Sequence, residues 1–248
     1  MGVVGKIVGG TIGFAVAGPL GALAGAAFGH VLDASGEMDE PRLSCRKSPQ
    51  SIFYVAAFSM LAKLVRVDGP VKQKEMDAVT RLMVDDLNLD ALGRNTAMHI
   101  FHSAMDTDRR FEDFAFQFYA EFANRPQYLE LMIDILVRIA SADGRITHDK
   151  EKLVLAGVDI FHLSRRYYRS VLQKYAKGAA GSSYAVLGCT IDDSDDMIKH
   201  RYRKRVSDFH PDKIASKGLP EDFIRFANEK FQEIQAAYED IKKSRGLR

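Results

Sequence analysis

The chain changes texture three times along its length. From Ile7 to Gly29 runs a stretch of 23 residues without a charged side chain. From Ser51 to about Lys177, apolar residues recur at spacings of three and four. Phe53, Ala57, Met60, Leu61 and Leu64 form one such set, and Leu129, Met132, Ile133, Leu136, Val137 and Ala140 another. That period predicts amphipathic helices, and no alternating strand pattern competes with it. Breakers are confined to Asp68-Gly69-Pro70, Gly93, Pro126 and Asp143-Gly144. Beyond the flexible composition of Lys177-Gly178-Ala179-Ala180-Gly181-Ser182-Ser183 come two further stripes. Ile198, Tyr202, Val206 and Phe209 make the first; Phe223, Ala227, Phe231, Ile234, Tyr238 and Ile241 make the second. The pattern predicts an all-α protein in five parts: an apolar segment 1–34, a linker 35–50, a helical domain 51–177, a flexible link 178–183 and a helical tail 184–248.

The apolar segment exceeds the ~20 residues a helix needs to cross a bilayer. It lacks the strong basic start and shorter apolar stretch of a signal peptide. Small residues recur at every fourth position: Gly5, Gly9, Gly13, Ala17, Gly21, Gly25 and Gly29. Such spacing lets apolar helices approach backbone to backbone within lipid. A step of four turns a helix by roughly 400°, so one long stripe would drift round the axis. Two short stripes, one on each side of Gly18-Pro19, fit better, because proline kinks or breaks a helix. The expectation is a kinked spanning helix that pairs with a second copy, or a helical hairpin in the membrane. Arg42, Arg46 and Lys47 on its C-terminal side favour a cytoplasmic position for the rest of the chain.

Composition adds little. The 35 basic and 33 acidic residues nearly cancel, so charge has to be read locally. Cys45 and Cys189 stand far apart, with neither disulfide nor zinc spacing, and suit a reducing compartment.

The middle region echoes itself. Leu64-Val65-Arg66-Val67-Asp68-Gly69-Pro70-Val71 leads to Glu75, and Ile139-Ala140-Ser141-Ala142-Asp143-Gly144-Arg145-Ile146 leads to Glu151. Each reads as a helix, an Asp-Gly turn and a new helix. This arrangement resembles the TerB family of helical domains. Asp68, Glu75, Asp143 and Glu151 invite a hard-cation hypothesis, against which stands the simpler reading of helix caps and solvated faces. No metal and no cofactor is therefore assigned. His99, His102, His148 and His162 show no ligand spacing.

The tail carries the chemistry. Asp192, Asp193, Ser194, Asp195 and Asp196 make an acidic, cap-competent helix start. The helix that follows has an apolar face, while Lys199, His200, Arg201, Arg203 and Lys204 make it basic elsewhere. His210-Pro211-Asp212-Lys213 ends it, with Pro211 fixing the turn. Two antiparallel helices joined by His-Pro-Asp resemble a J-domain. Two further motifs support this: Tyr184-Ala185-Val186-Leu187-Gly188 before the pair, and Phe231-Gln232-Glu233-Ile234-Gln235-Ala236-Ala237-Tyr238-Glu239 within it. With Lys217-Gly218-Leu219-Pro220 and the order of parts, the whole is similar to the DjlA family of membrane-anchored J-proteins of Gram-negative bacteria.

That resemblance implies a non-enzymatic co-chaperone. Lys199, Tyr202, Arg203 and Lys204 would dock on an acidic surface of a DnaK-type ATPase. His210, Pro211 and Asp212 would meet the junction of its domains, with Asp212 engaging an arginine. Arg205 stands where the family commonly has leucine, which predicts looser packing. Asp208 replaces a common basic residue, which predicts weaker steering. The rival reading is an envelope-stress or metal-sensing scaffold with a degenerate J-domain. A nucleic-acid partner is disfavoured by the acidic residues at 192–196 and 208 and by the lack of stacking aromatics beside the basic run.

Overall fold

The computed structural model describes residues 18, 20–23, 49–175, 183–215 and 219–246. The stripe positions Gly5, Gly9, Gly13, Ala17, Gly25 and Gly29 and the link 178–182 lie outside these residues, as does most of 35–50. Among the described residues every regular element is helical, and no helix is long and apolar enough to cross a membrane. The chain gathers into two compact units, Met1–Asn124 and Arg125–Arg248.

The first unit is built round α1 (Pro49–Arg66), which is buried from Phe53 to Leu61 without interruption. A helix apolar all round belongs at the centre of its unit rather than on a surface. It packs against α3 (Ala91–Asp106) and α4 (Phe111–Phe122), while α2 (Gln73–Arg81) runs on into a π-helical turn at Leu82–Asp86. Phe53 meets Phe118 and Phe122 edge-on at 5.3 and 6.0 Å between ring centroids, and Tyr54 donates to the Gly93 carbonyl at 2.7 Å. Phe118→Ala removes the ring at the middle of this cluster. It is expected to cost about 3–5 kcal/mol in denaturant unfolding. Leu20 is buried here too, its N–H donating to Gln117 Oε1 at 2.7 Å, and Gly21 is buried beside it.

The second unit repeats the plan. At its centre is α5 (Pro126–Ala140), buried at nearly every position from Gln127 to Ala140, with α6 (His148–Ile160) and α7 (Arg165–Tyr175) packed on it. The echo in sequence is thus an echo in structure. Both central helices are followed by an Asp-Gly turn whose glycine has positive φ, +109° at Gly69 and +97° at Gly144, which favours a residue without Cβ. The next helices are not capped by those aspartates. Glu75 accepts from the Lys72 N–H at 2.8 Å at the start of α2, and Thr147 caps α6. The cation hypothesis gains nothing: among the described residues no group of three or more His, Cys, Asp or Glu could hold a metal. Glu151 instead accepts from the Tyr168 hydroxyl at 2.9 Å.

The same unit holds α8 (Ser183–Leu187), α9 (Asp195–Asp208), α10 (Pro211–Ala215) and α11 (Glu221–Arg245). Helices α8, α9 and α10 all pack on α11. Leu187, Cys189, Ile198, Phe209, Ile234, Ala237 and Ile241 form their core. Tyr202 stacks flat on Tyr238, with 3.9 Å between centroids and 6° between planes. At the far end Arg245 donates to the Asp193 carbonyl and the Tyr184 hydroxyl, each at 2.8 Å, and pairs with Asp195 at 2.9 Å. This ties the last turn of α11 to the start of α9.

Candidate functional site: the His-Pro-Asp turn and the basic helix face

Helix α9 begins where its sequence says it should. Ser194 Oγ accepts from the Met197 N–H at 3.3 Å, and Asp195 and Asp196 occupy the first turn, at the positive end of the helix dipole. Its hydrophobic face turns inward through Ile198 and Phe209, which are 0% and 1% exposed. His200, Arg201, Arg203 and Lys204 are exposed, and Lys199 is half-buried. Tyr202 also is half-buried, with its ring on Tyr238, so it abuts the basic face from the side of the core.

Phe209 closes α9, and the chain turns at His210. The His210 carbonyl accepts from the Lys213 and Ile214 amides, both at 3.0 Å, which starts α10 with Pro211 as its first residue. Proline is at home there, because its missing N–H would have had no helical partner. The sequence had marked Pro211 as a helix stop; it is also a helix start. The Asp212 N–H donates to His210 Nδ1 at 3.3 Å, which puts the proton of a neutral ring on Nε2. The imidazole edge meets the Phe231 ring at 5.8 Å. The carboxylate of Asp212 projects into solvent with 93% of the side chain exposed, 3.8 Å from His210 Nδ1. Asp208 pairs across the turn with Lys213 at 3.7 Å.

The structure therefore gathers Arg203, Lys204, His210 and Asp212 as exposed groups along one helix and the turn that ends it. Chemically this can offer cations and the exposed carboxylate of Asp212 to another protein.

Two clusters that pattern reading missed lie on the other side of α9 and α11. Arg205 is only 12% exposed and pairs with Glu130 of α5, its guanidinium over the rings of Tyr167 and Phe209 at 5.5 and 5.9 Å. It makes a cross-helix anchor rather than the looser packing the departure from leucine predicted. Asp134, fully buried in the middle of α5, accepts from Lys230 of α11, from the Tyr175 hydroxyl and from Lys174 at 3.3 Å. Glu233 closes the cluster at 3.0 Å from Lys174. Burial by itself would raise the Asp134 pKa, but the two ammonium groups and the hydroxyl outweigh it and hold the carboxyl down at about 2. Burial, with the Asp134 charge beside it, pushes Tyr175 well above the usual tyrosine range. A signal existed: Asp134 interrupts an apolar run, and Lys230 falls at a stripe position between Ala227 and Ile234.

A His-Pro-Asp turn between an amphipathic basic helix and a long partner helix defines a J-domain protein. Residues 182–245 match the DnaJ domain. Residues 54–173 match the family described as tellurite resistance protein TerB, and residues 1–47 the co-chaperone DjlA transmembrane domain.

With these parts in this order, the chain is DjlA-like over nearly its whole length. It is similar to the co-chaperone protein DjlA of Coxiella burnetii and to that of Haemophilus influenzae, each at 28% identity over 98% of both chains. It resembles the Escherichia coli K12 protein of the same name at 27% identity with the same coverage. No solved structure matches the chain.

Proposed function

We propose that this protein is a J-domain co-chaperone that stimulates ATP hydrolysis by a DnaK-type chaperone and recruits it to the membrane. The observation that carries the reading is the His-Pro-Asp turn. Its carboxylate stands clear of the protein, at the end of a helix whose exposed side bears Arg203 and Lys204.

In this reading residues 1–34 anchor the chain in the bacterial inner membrane, and 51–177 and 184–248 face the cytoplasm. The glycine positions Gly5, Gly9, Gly13, Gly25 and Gly29 pair two copies, while Gly21, buried beside Leu20 in the first unit, drops out of that stripe. Lys199, Arg203 and Lys204, with Tyr202 steadied beside them by Tyr238, steer the encounter with an acidic surface. His210, Pro211 and Asp212 then bias the partner towards its hydrolysis-competent conformation. They can do so only by binding that conformation more tightly than the resting one. The phosphoryl chemistry belongs to the partner.

The test is single-turnover ATP hydrolysis by a bacterial DnaK with the full chain in detergent or nanodiscs. Stimulation is expected. Arg203→Glu with Lys204→Glu should slow complex formation at least tenfold at low salt, with a smaller difference at high salt, because steering by surface charge is screened. A folded chain that gives no stimulation would overturn the reading in favour of a scaffold with a degenerate J-domain.

A further inference from the structure

The sequence expectation is a flexible link, 178–183, between the helical domain and the J-domain, which would by itself allow many orientations. The contacts within the second unit argue otherwise. Three separate elements of the J-domain are bonded to the helices before it. From α9, Arg205 pairs with Glu130. From α10, the Ile214 carbonyl accepts from the buried Tyr128 hydroxyl at 3.0 Å. From α11, Lys230 pairs with Asp134. These three attachments all end on α5, and a fourth, Glu233 of α11 with Lys174 of α7 at 3.0 Å, holds the J-domain from a second helix and opposes rotation about the first. The Asp134–Lys230 bond is shielded from solvent, since Asp134 is 0% and Lys230 6% exposed at the side chain. On separation Asp134 would keep only Lys174 and Tyr175, and Lys230 only Glu233, of the partners seen among the described residues. An exposed pair, Arg166 with Asp193 at 3.1 Å, adds little by comparison.

We propose that the J-domain is docked, not tethered: an ion latch of Glu130 and Asp134 to Arg205 and Lys230 fixes it on α5 and α7 in one orientation. The latch does not cover the turn. Arg205 lies roughly 100° round α9 from Lys204 and roughly 160° from Arg203. Those two, His210 and Asp212 remain exposed. Docking therefore sets the direction in which the His-Pro-Asp turn is presented without masking it. This inference stands on the contacts alone, whether or not the exposed face binds a DnaK-type ATPase.

The experiment is a distance measurement by pulsed double electron resonance on the full chain. Cys45 is replaced by Ser, and spin labels are placed at Lys152→Cys on α6 and His200→Cys on α9, both exposed positions. One narrow distance distribution is expected. It should not change when a run of Gly and Ser is inserted between Gly181 and Ser182. Arg205→Glu, which sets two carboxylates against each other, should broaden it, and adding Glu130→Arg should restore it. A broad distribution in the unmodified chain, broadening on insertion alone, or no response to Arg205→Glu would each overturn the proposal. The insertion touches no latch residue, so its result decides the matter even where a latch variant fails to fold.

Discussion

Asp212→Asn and His210→Gln are expected to abolish stimulation of a DnaK-type ATPase while leaving the fold intact. The Asp212 side chain is 93% exposed, and among the described residues its one ion-pair contact is with His210 at 3.8 Å, so its carboxylate stabilises little there. Asparagine keeps the shape and removes the charge. His210 braces the turn from within: its ring lies against Phe231, and its Nδ1 receives the Asp212 amide. Glutamine loses that ring contact. Coupling free energies between a bound partner and a conformational equilibrium are typically 1–3 kcal/mol, so a loss on the order of 5–150-fold in stimulated turnover is the expected scale. Unchanged far-ultraviolet circular dichroism and unfolding midpoints would assign the loss to the interface. Full stimulation by Asp212→Asn would remove Asp212 from the mechanism proposed here.

Asp134→Ala should produce the largest loss of stability of any single charged substitution in the second unit. The change leaves Lys230 in a buried site with Glu233, 3.6 Å away, in place of its main partner, and removing one member of a buried pair costs about 3–5 kcal/mol. Asp134→Leu combined with Lys230→Met removes both charges at similar volume and should recover most of that loss in chemical denaturation. The pH dependence follows from the direction of the shift. Asp134 titrates near 3.9 when unfolded and is held down at about 2 when folded. Its contribution is therefore fully present above about pH 4 and is lost as the pH falls through about 2. Between pH 5 and 8 the Asp134 contribution should therefore stay constant. On the alkaline side, burial pushes Tyr128 up to about 12. The stability linked to its neutral hydroxyl is present below about pH 10 and is lost as the pH rises through about 12. In the neutralised double variant the Asp134 part of the acid limb should disappear. An acid limb identical to that of the unmodified chain would show that Asp134 is not the titrating group.

Much of the fold was legible because helices are encoded locally. The spacing of Phe53, Ala57, Met60, Leu61 and Leu64 places all of them inside, and the stripe of Leu129 to Ala140 likewise. The glycines of the two Asp-Gly turns take the positive φ their neighbours required. Ser194 in the acidic start caps α9, and the His-Pro-Asp turn falls between α9 and α11. All these features depend on residues within a few positions of one another, where period, caps and backbone preference act.

What the sequence could not decide is which polar groups meet across long separations. Asp134 and Lys230 are 96 positions apart, and Glu130 and Arg205 are 75 apart. Periodicity shows only that a charged residue sits on an apolar face. Whether that charge reaches solvent, faces an orphaned site or finds a partner depends on the packing of elements distant in sequence. Tyr202 makes the same point: its place in an apolar stripe was readable, but only the packed helices put it flat on Tyr238 beside the basic face. The sequence by itself determined that this protein is helical and carries a J-domain turn, because both are local properties. Only the tertiary structure decided that the J-domain is bonded to α5 and α7, because a buried charge takes its meaning from what surrounds it.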